Sequence, residues 1–169
     1  KLTAGLVAEQ FEVGSDKQFK LNYKPNDFPT FKVQNLFANG QVWTGSGNQL
    51  IDYVHKNDKN LATTINENTL SCGIKFTYGN FSFFTGGDLY GTLLDENEVK
   101  INMESAIKNI IGEVDVCKAN HHCFTGSMIP DFVNTISAKI YLLSYINSKH
   151  LKTPVLTNLV TNPKNGKSC

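Results

Sequence analysis

The sequence predicts a mixed α/β (α+β) domain in which a sheet is covered by helices, and three observations carry that expectation. Between Thr69 and Thr77 the residues Leu70, Cys72, Ile74 and Phe76 alternate with Ser71, Gly73, Lys75 and Thr77, the period of a half-buried strand. Over Glu98 to Ile111, Met103, Ile107, Ile110 and Ile111 recur at helical spacing. Two short apolar runs, Val114 to Ala119 and Lys139 to Ser144, read as buried strands flanking a helical segment that opens at Pro130. The predicted order of this part of the chain is ββαβαβ.

Taken in order, the residues before Lys59 mix short apolar patches with Gly, Asn, Asp and Pro, so short strands and loops are expected there. Phe31, Val33 and Leu36 suggest one strand and Gln41 to Thr44 another, with Asn39-Gly40 as the turn of a hairpin. Leu50, Ile51 and Val54 form an apolar pattern too short to assign to a helix. Gly79-Asn80 turns the alternating strand into Phe81 to Phe84, which ends in Thr85-Gly86-Gly87-Asp88 and so delivers an aspartate from a glycine loop. Gly112 stands where a helix would be capped, and Phe132, Val133 and Ile136 mark the buried side of the next helix. The segment from Asn158 to Cys169 reads as a frayed polar tail.

A length of 169 residues with 40% hydrophobic content gives enough apolar material for one core, so residues 1–169 are expected to form a single domain. Lysine and arginine number 16 against 15 acidic residues, a net charge of +1, which gives no bulk field for binding nucleic acid or anionic lipid. No run is long and apolar enough for a membrane helix, and Lys1 to Gln10 lacks the pattern of a signal peptide. A chain that opens on Lys and stops at Cys169 is expected to be a piece of a longer protein. The four cysteines are too sparse for a disulfide scaffold and leave the redox compartment open.

The main chemical cluster is Cys117-Lys-Ala-Asn-His121-His122-Cys123, directly after a predicted strand. It lacks the paired ligand spacing of a structural zinc site, and neighbouring histidines in extended chain point to opposite sides, so at most two of these side chains would share a metal. Cys117 lies within the apolar strand and reads as a small buried hydrophobe. Two adjacent imidazoles after a buried strand point instead to a ligand or an acid/base group. Asp88 would be their carboxylate partner, although Gly-Gly-Asp alone is also a common turn. Cys123 beside His122 is poorly spaced for a thiolate pair, and no nucleophile elbow is present. Thr44-Gly-Ser-Gly-Asn48 lacks the Lys and helix of a phosphate loop. His55 and His150 read as solvated.

Asn66-Glu-Asn68-Thr-Leu, the strand pair ending in Thr85-Gly-Gly-Asp88, and Val114-Asp-Val-Cys-Lys-Ala-Asn-His121-His122 occur in an order that resembles the C-terminal half of metallo-β-lactamase-fold hydrolases. The nearest branch is that of the hydrolase-like domain of the competence DNA-uptake protein. The resemblance spans Asn66 to Ser144 and implies an αββα sandwich with a metal site at one edge of its sheets, usually zinc and often binuclear. It assigns Asp88 as the bridging carboxylate and His121 as the histidine ligand, with His122 behind the metal or facing the substrate as a catalytic group. The metals would activate water for attack on a phosphoryl or acyl centre of a small-molecule or phosphodiester substrate.

The family's first metal motif, H-x-H-x-D-H, does not occur before this region, where only His55 is present. An extra glycine interrupts the T-G-D pattern, and Cys123-Phe-Thr-Gly126 replaces the usual Gly-Ser. The resemblance therefore implies a fold incomplete on its N-terminal side, with the first site elsewhere in a longer enzyme, or a degenerate module that kept the fold and lost its metals. A catalytic zinc takes about three protein ligands, so on the first view this chain carries only part of the site.

Overall fold

The Asn39-Gly40 pair folds the chain back on itself, and a sheet grows from that point. Both residues take left-handed backbone, φ 49° and 76°, as a tight hairpin turn requires. They join β1 (Lys32–Ala38) to β2 (Gln41–Trp43), with Phe37 opposite Val42. The computed structural model describes residues 8–54, 67–95, 98–144 and 153–161. β3 (Leu50–Asp52) adds to β2, and β4 (Gly73–Tyr78) pairs with the other side of β1. β1 shifts register between Asn35 and Phe37, an irregularity that explains why Val33 and Leu36 do not alternate strictly.

β5 (Phe81–Thr85) returns antiparallel to β4. A separate two-stranded ribbon, β6 (Thr92–Asp95) and β7 (Glu98–Asn102), precedes helix α1 (Met103–Ile111). β8 (Val116–Lys118) then runs parallel to β5, helix α2 (Pro130–Ile136) follows, and β9 (Ile140–Leu142) runs parallel to β8. Helix α3 (Thr153–Val160) is the last described element. The main sheet has seven strands in the order β3-β2-β1-β4-β5-β8-β9. The mixed α/β class and the ββαβαβ core agree with expectation, with the β6–β7 ribbon inserted. Among the described residues no helix is long and apolar enough to cross a membrane.

Three boundaries differ from the sequence reading. The helix expected from Glu98 begins at Met103, because Asn102 caps it by accepting from Ser105 N at 2.9 Å while the residues before it pair as β7. The strand expected from Thr69 begins at Gly73, after a 3₁₀ turn over Glu67–Leu70 whose last carbonyl accepts from Asn39 N. The expected polar tail begins inside α3, whose Val155 and Leu159, four apart, are buried, and whose Asn158 donates to the Met128 carbonyl at 3.1 Å. His55 and His150 lie outside the described residues.

α1 and α2 cover one face of the sheet. On that face Phe84 meets Phe37 and Phe132, with ring centroids 6.4 and 6.1 Å apart, and all three are fully buried. Burial of each such ring contributes about 2–3 kcal/mol. Lys75, opposite Phe84, reaches the last carbonyl of α1 at Ile111. On the other face the register aligns Phe76 with Phe83, Phe83 with Val116 and Val116 with Ile140, an apolar row whose last member is 55% exposed.

Candidate functional site

β5 and β8 are parallel neighbours, so the loops leaving their C-terminal ends emerge side by side, the usual place for polar chemistry in such sheets. The first loop is Thr85-Gly86-Gly87-Asp88. A Cβ on Gly86 would lie 2.7 Å from Asn120 Oδ1, so only glycine lets the two loops touch. Gly87 has φ +63°, the left-handed backbone that swings Asp88 over the strand end. Leu89 N closes this turn on the Gly86 carbonyl at 3.1 Å.

The second loop carries the histidines. His121, His122 and Cys123 all have left-handed φ, 44°, 54° and 61°. Such backbone costs about 1–2 kcal/mol per non-glycine residue and persists only where the surroundings hold it. The turn places the two imidazoles 6.3 Å apart, ring centre to ring centre, instead of on opposite sides of a strand.

His122 meets Asp88, with Nε2 and Oδ2 3.1 Å apart. Its Nδ1 faces the Ser144 carbonyl, an acceptor that favours a proton on Nδ1, and the Ser144 hydroxyl lies 3.3 Å from the same atom. Nε2 thus meets the carboxylate as the lone pair of a neutral ring or as the second N–H of an imidazolium. Lys118 Nζ is 3.7 Å from the other carboxylate oxygen and donates to the Gly87 carbonyl at 2.7 Å and the Ala119 carbonyl at 3.2 Å. Asp88, His122 and Lys118 side chains are 43%, 34% and 23% exposed, so the group is open to solvent on one side.

His121, the ligand that the resemblance implies, takes a different seat. Its Nε2 lies 3.1 Å from Asn68 Nδ2, and its ring packs against Tyr90 and Phe124, with centroids 4.9 and 5.4 Å away. The structure thus brings His122 Nε2 to Asp88 and His121 Nε2 to Asn68, in the turn that precedes β4.

Zinc takes nitrogen and oxygen donors at about 2.0–2.2 Å, so two donors 3.1 Å apart can share one ion. Among the described residues, however, no group of three or more His, Cys, Asp and Glu gathers as a metal site. The cysteines do not add to it. Cys117 and Cys123 are fully buried, and burial pushes the Cys123 thiol up to about 11, which removes the thiolate a nucleophile needs. Cys117 fills the strand interior as expected.

Sequence reasoning missed Asn68, Tyr90, Lys118 and Ser144 as neighbours of the histidines, and missed Glu104 beneath them. Glu104 lies on α1 and is completely buried. Its Oε1 accepts from Asn120 Nδ2 and Met128 N, and its Oε2 from Ile129 N, each at 2.8 Å. The available signal was its place on the same helical stripe as Ile107 and Ile111, where a charged residue needs a partner. Neither the protein-family models nor the curated proteins compared with this sequence gave a match.

Proposed function

We propose that this chain forms part of a metal-dependent hydrolase of the metallo-β-lactamase type, acting on a phosphoryl or acyl centre. The observation that carries the reading is His122 Nε2 facing Asp88 Oδ2 at 3.1 Å, an imidazole nitrogen and a carboxylate oxygen close enough to ligate one cation. A bound zinc would supply a hydroxide nucleophile near neutral pH. The chain's own residues have definable tasks. Asp88 and His122 would hold the ion, and the Ser144 carbonyl at Nδ1 would orient the His122 ring. Lys118, anchored on two carbonyls, sets a positive charge beside the carboxylate, where an anionic phosphodiester would be drawn. Asp88 and one imidazole are two of the about three donors that a catalytic zinc takes. In this reading His122 takes the ligand position nearest the carboxylate and His121 supports it.

The αββα sandwich is the finer reading of the architecture. Its support is that α1 and α2 cover one sheet face while the row from Phe76 to Ile140 lies on the other, where a second sheet would pack. A second reading, a non-catalytic module of the same fold, is favoured by the lack of a three-donor group among the described residues.

Metal analysis of protein purified without chelator separates the two. Bound zinc should fall sharply in Asp88→Ala and His122→Ala and less in His121→Ala. A parent protein that takes up no zinc would favour the module.

A further inference from the structure

Glu104 stands apart from Asp88 and the histidines, yet its carboxylate grips both ends of the loop that carries them. Asn120, immediately before His121, donates to Oε1. Met128 and Ile129, where the loop enters α2, donate their backbone N–H groups to Oε1 and Oε2. Three donors converge on one buried carboxyl group, which fills most of its lone pairs with hydrogen bonds. Between these anchors lie His121, His122 and Cys123 in left-handed backbone, and Met128 itself has φ 51°. Strain of that kind needs an external restraint.

The same carboxylate reaches the Asp88 side. A Cβ on Gly91 would lie 2.7 Å from Glu104 Cδ and 2.8 Å from the Gly126 carbonyl, so the chain after Asp88 and the histidine loop close over it from both directions. Asn120, held by Glu104, also sits against Gly86. Glu104 therefore couples α1, the glycine loop and the histidine turn.

We infer that Glu104 is a positioning residue, a clasp that holds the His121–His122 turn in the conformation that points His122 at Asp88. The inference deepens the metal-hydrolase reading and rests on it for its functional meaning, but the clasp itself is read from the loop geometry.

The test compares Glu104→Gln with Ile107→Val, a conservative change in the buried face of the same helix that leaves all three bonds to Glu104 in place. Imidazole resonances of His121 and His122 are followed in histidine-labelled protein, thermal stability is recorded, and zinc binding is measured by calorimetry with Zn²⁺ alone. The expected result is that Glu104→Gln shifts or broadens the two imidazole signals and weakens zinc binding at least about tenfold, the usual scale for losing a group that orients a ligand. Ile107→Val should leave both readouts near the parent's, however much stability it loses. Glu104→Gln with parental imidazole signals and parental zinc affinity would overturn the clasp. A parent that binds no zinc would sink the hydrolase reading, while the imidazole signals still decide the clasp. Should Glu104→Gln not fold, Asn120→Ala removes one of the three bonds and carries the same test.

Discussion

His122 Nε2 and Asp88 Oδ2 lie 3.1 Å apart across 34 residues of sequence, brought together because β5 and β8 are parallel neighbours. The Ser144 carbonyl at the other ring nitrogen favours a proton on Nδ1. In zinc-loaded protein, nitrogen chemical shifts should therefore place the His122 proton on Nδ1. A proton found on Nε2 would take this pair out of the proposed metal site.

Stability should depend on pH through Glu104. Burial pushes its carboxyl up to about 7 from 4.5, against the opposing pull of its hydrogen bonds to Asn120, Ile129 and Met128. The folded protein then binds the proton more tightly than the unfolded chain, so this group's contribution is fully present below pH 4.5 and is lost as pH rises toward 7. At about 1.4 kcal/mol per pH unit, the swing is about 3 kcal/mol. Denaturant midpoints of parent and Glu104→Gln, compared from pH 4 to 8, should differ by an amount that changes across this window in the parent's disfavour. A difference constant with pH would contradict the assignment.

Gly86 and Asn120 should be energetically coupled. A methyl group at residue 86 would meet Asn120 Oδ1 at 2.7 Å, and Gly86→Ala should cost about 1–3 kcal/mol by overpacking. Removing the amide as well relieves that clash, so the double variant Gly86→Ala/Asn120→Ala should lose less than the two single losses added, by about 0.5 kcal/mol or more. Simple additivity in urea unfolding would show that the two loops do not press on each other.

Thiol chemistry should divide by position. Cys72 is exposed, while Cys117 and Cys123 are buried and burial raises both thiols. Brief alkylation of native protein, mapped by peptide mass, should label Cys72 and spare Cys117 and Cys123 until denaturant is added. Rapid labelling of Cys123 would reopen its role as a nucleophile.

That Asp88 and the histidines follow two strand ends was legible because the aromatic run from Phe81 to Phe84 and the apolar run from Val114 to Ala119 each stop at polar residues. Which imidazole meets Asp88 was not. The alternation rule for extended chain puts adjacent side chains on opposite sides, but the turn at His121, His122 and Cys123 is left-handed, and nothing in those residue types announces it. Glu104 was hidden for a related reason. Its partners Met128 and Ile129 donate through backbone N–H groups, which carry no residue-specific signature. β7 was absorbed into the helix after it because Glu98 and Met103 belong to one continuous stretch, and only the Asn102 cap divides them.

The hydrogen bond from Met103 N to the Gly91 carbonyl, 2.9 Å long, fastens the neck of that ribbon where it leaves and rejoins the body of the protein. The two strands between those residues, β6 and β7, thus form an excursion with its own closure. Lengthening or trimming those strands should leave the path from Asp88 to α1 as it is, which makes the ribbon the natural position for an engineered insertion.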